Sequence, residues 1–153
     1  KGATEKVCDK LYKNGIDKIG IVISERGGEV KRSGDLILDG YEEFCKKNGL
    51  DKKVIEAGYK EIESVIKKIK EEKDIKGWII GNIMVSKEIL KRGIEGNFVL
   101  YTEVPVDYPN NVIFPFIEYG RKGFEVIERL INGESENIKI KLKPEIRSKG
   151  GDR

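Results

Sequence analysis

Lys18-Ile-Gly-Ile-Val-Ile-Ser24 is the stretch whose reading decides the fold. It is short, almost wholly apolar, rich in β-branched side chains and bounded by polar residues. A strand with one wet face alternates apolar and polar residues. This one does not alternate, so both of its faces need cover, as in a parallel sheet with helices on either side.

The flanking sequence supplies that cover. Upstream, Val7, Cys8, Leu11 and Tyr12 form the apolar face of a helix that Thr4 can cap and that Asn14-Gly15 ends. Downstream, a loop from Glu25 to Gly34 leads to a helix with Ile37, Tyr41, Phe44 and Cys45 on one face, stopped by Asn48-Gly49. Lys53 to Ala57 reads as the next strand. Ile62, Val65, Ile66 and Ile69 then recur at helical spacing. Gly77-Trp-Ile-Ile-Gly81 and Asn97-Phe-Val-Leu-Tyr101 are two further strands, separated by a short helix with Ser86 as its cap and Gly93 as its stop.

Pro105 and Pro109 make 104–111 a connector, after which Val112 to Phe114 can form a short strand ending at Pro115. A long helix follows over 117–132, with Phe124, Ile127, Leu130 and Ile131 on one face. Ile138-Lys-Ile-Lys-Leu142 alternates strictly and reads as an edge strand. Strands alternating with helices predict an α/β fold: a three-layer sandwich around a mostly parallel sheet, in one domain over residues 1–153.

Composition narrows the chemistry. The 30 basic and 27 acidic residues leave a net charge of only +3, which does not by itself point to nucleic acid. The absence of His excludes Ser-His-Asp and Cys-His catalysis and His-ligated zinc. No metal site, cofactor or membrane span is expected. The Lys/Glu bias suits a hot habitat, although AT-rich coding produces a similar composition. Cys8 and Cys45 lack CxxC spacing and read as buried thiols. The opening 14 residues lack the apolar core of an export signal and lack an initiator Met, so the chain reads as cytoplasmic and as a possible fragment.

Little in the chain resembles catalytic machinery. Glu25-Arg-Gly-Gly28 follows a strand, but it lacks phosphate-loop spacing and no helix opens straight after the glycines. Ser24 has no base nearby in sequence and no nucleophile elbow. The Lys-rich runs Lys67 to Lys73 and Lys139 to Lys143 read as solvated faces, and Trp78 reads as core. No catalytic residue is assigned. In open parallel sheets ligands bind beyond the carboxyl ends of the strands. That rule singles out Ser24, Arg26, Asn82 and Glu103 as candidate ligand contacts.

Asn110-Asn-Val-Ile-Phe-Pro115, followed by Gly120, Gly123, Val126-Ile127, Leu130-Ile131 and Gly133, resembles the C-terminal signature of the effector-binding domain of LacI/GalR-type transcription regulators. The family runs T-T-V-x-Q-P, then G-x-x-A, then a helix ending L-I-x-G. Leu142-Lys-Pro-Glu-Ile-Arg-Ser148 is similar to the family's closing strand. Leu11 to Ser24 resembles its helix-to-strand joint, with Asp17 where His is usual, and Gly40-Tyr41 matches its Gly-aromatic pair. The resemblance covers essentially the whole chain.

It implies one lobe of a periplasmic-binding-protein-like fold, plus a helix that crosses to the other lobe. It also implies a small-molecule effector, a sugar or an anionic metabolite, and a homodimer. DNA would be contacted only through a domain that this chain does not contain. Three departures concern the effector. Ile37 stands where the family has a sugar-contacting Arg, Ile83 follows Asn82 where Asp is usual, and Glu103 takes the place of an Asp. These changes disfavour a standard hexose, while Arg26 and Arg32 could favour an anion.

The resemblance also implies that the last helix packs on the first lobe. For the stripe Phe124, Ile127, Leu130 and Ile131, two burial modes are expected from this chain: folding back onto its own sheet, or packing on a second copy. Two other functions remain in view: an extracytoplasmic solute-binding or sensor-kinase input domain, and an enzyme on a flavodoxin-like fold.

Overall fold

The computed structural model describes residues 1–25, 33–114, 116–133 and 143–148. The helices are α1 (Gly2–Lys13), α2 (Ser33–Asn48), α3 (Ile62–Glu71), α4 (Ile83–Arg92) and α5 (Phe116–Ile131). The strands are β1 (Ile19–Ser24), β2 (Val54–Ala57), β3 (Gly77–Ile80), β4 (Phe98–Thr102), β5 (Asn110–Ile113) and β6 (Glu145–Ser148). They form one six-stranded sheet in the order β2-β1-β3-β4-β5-β6. All pairs are parallel except β5 with β6. The α/β, mostly parallel architecture expected from the sequence is the one found.

The non-alternating strands behave as their composition requires. On β1, Ile19, Ile21 and Ile23 join Val7, Leu11, Ile37, Tyr41 and Phe44 under α1 and α2. Val22 faces the other way, with Ile80 and Leu100, onto Val65, Ile66, Val85 and Ile89 of α3 and α4. Each large aliphatic side chain buried this way contributes roughly 1.5–3 kcal/mol. The Trp78 ring lies in the second core, as expected. It occupies the space over Gly20, where an added Cβ would lie 2.5 Å from a ring carbon.

Two polar links tie the first layer together. The Tyr41 hydroxyl, fully buried, donates to the Ile19 carbonyl at 2.8 Å and accepts from the Lys53 amide at 2.9 Å. One α2 side chain thereby joins the starts of β1 and β2. Thr4 and Tyr101 share a buried hydroxyl–hydroxyl bond of 2.8 Å that connects α1 to β4. Cys8 and Cys45 are free buried thiols, and burial raises both above the usual thiol range.

Several local expectations are corrected. Thr4 is no cap: α1 starts earlier, at Gly2, which places Thr4 inside the helix against α2 and β4. Ser86 is no cap either. Asn82 caps α4, and Ser86 is buried in the helix, where its hydroxyl donates to the Ile80 carbonyl at 3.3 Å. The long helix runs Phe116–Ile131, one residue earlier at each end than 117–132. The alternating segment 138–142 lies outside the described residues. Among the described strands, β6, within the segment likened to the family's closing strand, is one edge of the sheet and β2 is the other.

The α5 stripe does not fold back onto the sheet. Phe124, Ile127, Leu130 and Ile131 are 63%, 53%, 51% and 78% exposed. The reason is topological: the central strands are already covered on both faces by α1 with α2 and by α3 with α4, which leaves no face for α5.

The tight Gly20–Trp78 contact gives a direct test of the two-sided core. Gly20→Val should destabilise the chain by about 1–3 kcal/mol through overpacking against Trp78. Urea unfolding should show a lower midpoint at unchanged slope. An unchanged midpoint would mean that Trp78 does not occupy this space.

Candidate functional site

The parallel register places the carboxyl ends of β1, β3 and β4 side by side, about 4.8 Å apart per strand. Ser24 ends β1 and is exposed. Asn82 follows β3 and caps α4: its Oδ1 accepts from the Val85 amide at 3.0 Å. Its Nδ2 donates to Ser24 Oγ at 3.1 Å. The structure therefore brings Ser24 and Asn82 into direct contact. One amide both starts a helix and orients a hydroxyl, whose own proton stays free to donate outward.

Glu103, just beyond β4, is separate from this pair. Its carboxylate pairs with Lys87 of α4 at 3.0 Å, with both side chains about half exposed. The loop that carries it is anchored from beneath. Buried Asn111 donates to the Leu100 carbonyl at 2.9 Å and to Thr102 Oγ1 at 2.7 Å. Thr102 in turn donates to the Val104 carbonyl at 2.7 Å. Arg26 and Arg32 lie outside the described residues.

Ile37 sits where the departure from the family pattern matters. It is buried, and an added Cβ on Gly81 would lie 3.1 Å from it, which puts Ile37 directly beneath the ends of β1 and β3. The position that the resemblance gives to an arginine is here an apolar floor. Phe114 lies between Tyr101 and Phe116, tilted against the first with ring centroids 5.2 Å apart and stacked on the second at 5.3 Å, and leads from the core to the exposed start of α5.

Sequence reasoning missed three groups at this edge. Lys87 pairs with Glu103 across 16 residues, a link set by the α4–β4 packing rather than by local sequence. Glu25 and Glu61 both point at Gly58, where an added Cβ would lie 3.2 and 3.0 Å from their carboxylate oxygens. Glu61 accepts from the Gly58 amide at 3.2 Å, and its spacing three residues after a loop glycine was the available signal.

The arrangement suits hydrogen bonding. The partner of Ser24 is an amide, which cannot take its proton as a general base does. Among the described residues no group of three His, Cys, Asp or Glu side chains could hold a metal. No helix of the described residues is long and apolar enough to cross a membrane.

No family model matches the chain, and no curated protein matches it. Solved structures do. A periplasmic binding protein/LacI transcriptional regulator from Alkaliphilus metalliredigens, complexed with D-xylulofuranose, superposes with a TM-score of 0.63 at 20% identity, over 87% of this chain and 55% of that one. The transcription regulator CcpA of Lactococcus lactis gives 0.68 at 16% identity, over 95% of this chain and 59% of that one. GanP, a glucose-galactose binding protein from Geobacillus stearothermophilus, gives 0.67 at 14%, over 95% and 59%. At these identities the likeness is one of fold. The chain spans little more than half the length of these structures, and its sheet is the lobe architecture that the sequence resemblance implied.

The double role of Asn82 can be separated by substitution. Asn82→Ala should cost about 1 kcal/mol through loss of the α4 cap. Asn82→Asp keeps the capping oxygen and should stay within about 0.5 kcal/mol of the parent in thermal or urea unfolding. Equal losses for both would show that the cap is not what holds α4.

Proposed function

We propose that the chain is the effector-sensing lobe of a LacI/GalR-type transcription regulator, acting in the cytoplasm and not as an enzyme. One observation carries the reading: the oriented Ser24–Asn82 pair lies at the carboxyl ends of β1 and β3, in a fold shared with regulators and sugar-binding proteins. The effector is a small molecule held by Ser24, Asn82 and Glu103, with Arg26 assigned to the same site from sequence alone. Ile37 removes one cation from the floor, which disfavours a standard hexose whose hydroxyls need convergent partners. Sugar derivatives and anionic metabolites remain the assigned class.

The mechanism is a population shift. An effector that binds one arrangement of lobes more tightly biases the geometry of a DNA-binding domain supplied from outside these 153 residues. The apolar face of α5 is the interface element of this design, toward another lobe or a second copy. The likeness to GanP favours a second reading, a solute-binding receptor with the same site and no DNA partner.

Isothermal titration against sugars, sugar phosphates and nucleosides tests the site. Ser24→Ala and Asn82→Asp should each weaken the bound compound about tenfold, the loss of one hydrogen bond at roughly 1.4 kcal/mol. Unchanged affinity in both variants would place the effector elsewhere.

A further inference from the structure

Two helices end on nearly the same four residues. Lys13-Asn-Gly-Ile16 closes α1 and leads into β1, and Lys47-Asn-Gly-Leu50 closes α2 and leads toward β2. In both, the glycine takes a positive φ, 85° at Gly15 and 64° at Gly49. Asparagine is a chemically labile residue, and a following glycine leaves its own backbone nitrogen unshielded for attack on the asparagine side chain. The matched tetrapeptides give the two sites the same intrinsic reactivity, so a difference between them comes from the fold. The third such pair, Asn132-Gly133, has Ile131 and Glu134 as neighbours and is no matched control.

The reaction is a ring closure. A solvent base takes the proton of the glycine N–H, and that nitrogen attacks the asparagine Cγ. The new C–N bond forms as the Cγ–Nδ2 bond breaks, and ammonia leaves, protonated from water. Water then opens the five-membered imide. Opening at Cγ gives aspartate. Opening at the backbone carbonyl gives isoaspartate, which routes the chain through the side chain and lengthens it by one carbon.

The fold treats the two electrophiles differently. The Asn48 Nδ2 donates to the Phe44 carbonyl at 2.9 Å, which turns the amide back along α2, and the residue is still inside the helix and half-buried. The Asn14 side chain is exposed, lies past the last residue of α1, and no hydrogen bond to another described residue holds it. The nucleophiles differ the other way. The Gly15 N–H donates to the Tyr12 carbonyl at 3.0 Å, while the Gly49 N–H reaches the Lys46 carbonyl only at 3.5 Å. Both of those bonds break as the chain turns to close the ring, so only the difference between them counts. The whole tether counts at Asn48, and one ordinary hydrogen bond is worth about fivefold in rate.

We infer that Asn14 is a site of spontaneous deamidation and that its sequence twin Asn48 is guarded by its bond to Phe44. The product enters a tight joint. The Ile16 N–H donates to the Leu11 carbonyl at 3.1 Å, and the Ile16 Cγ2 lies 2.9 Å from where a Cβ on Gly77 would stand. Either product also puts a carboxylate at the carboxyl end of α1, where the helix dipole opposes an anion. Modification at position 14 therefore acts on the entry to β1.

Peptide mapping by mass spectrometry tests this on the whole chain, kept folded at mildly alkaline pH in heavy-oxygen water so that conversion during digestion is not counted. Conversion at Asn14 should run about threefold or more faster than at Asn48. In guanidinium chloride the two rates should agree to within about twofold, as the tether is then gone. Equal rates in the folded chain, faster conversion at Asn48, or a difference that persists in guanidinium overturns the inference. Urea unfolding of aged protein reads the consequence: the parent should lose more of its midpoint than Asn14→Ser aged alongside it, and equal losses would overturn the effect on β1.

Discussion

The structure depends on one constraint: β1 has no face it can leave in water. Ile21 and Ile23 on one side and Val22 on the other are fully buried, which forces α1 and α2 onto one face of the sheet and α3 and α4 onto the other. Helices on both faces require parallel crossover connections. Parallel strands in turn bring every carboxyl end to the same edge. The position of the candidate site is therefore a consequence of burying β1. The Tyr41 hydroxyl fixes the opposite edge by joining the starts of β1 and β2, so the two strands cannot slide and their carboxyl ends keep register.

At that edge the fold and the chemistry share residues. Asn82 is a helix cap first, and its remaining amide protons reach Ser24 because α4 starts immediately after β3. Asn111 is buried core, yet its two donated bonds hold the strand end and turn that present Glu103. Ile37 marks where this lobe parts from the regulators it resembles. A buried aliphatic side chain beneath Gly81 cannot offer a cation to a ligand, so under the proposed function recognition would fall to groups presented by the loops above it.

Much of this was legible in the sequence because it depends on periodicity. Non-alternating runs gave β1, β3 and β4, helical spacing gave the α2 and α3 faces, and glycines at Gly15, Gly49 and Gly93 ended helices with positive φ. Helix starts were less legible. Thr4 and Ser86 have the right chemistry for caps, but their burial uses them as links within the core, a choice made by tertiary contacts. The placement of the candidate residues Ser24, Asn82 and Glu103 beyond strand ends was legible, but the contacts they make were not. The Ser24–Asn82 bond spans 58 residues and the Lys87–Glu103 pair depends on how α4 lies on β4, so neither has a local signature. The α5 stripe was visible as apolar; its exposure follows from a sheet already covered on both sides.

The central claim is that this fold presents its ligand contacts at the carboxyl ends of β1, β3 and β4. Backbone amide chemical shifts recorded during titration with a binding sugar phosphate or nucleoside test it most directly. The account predicts that the largest shifts fall at Ser24, Asn82, Glu103 and their immediate neighbours. Shifts concentrated instead at the amino ends of the strands, around Asp17, Lys76 and Asn97, or along the outer face of α2 at Glu42, Glu43 and Lys46, would contradict it.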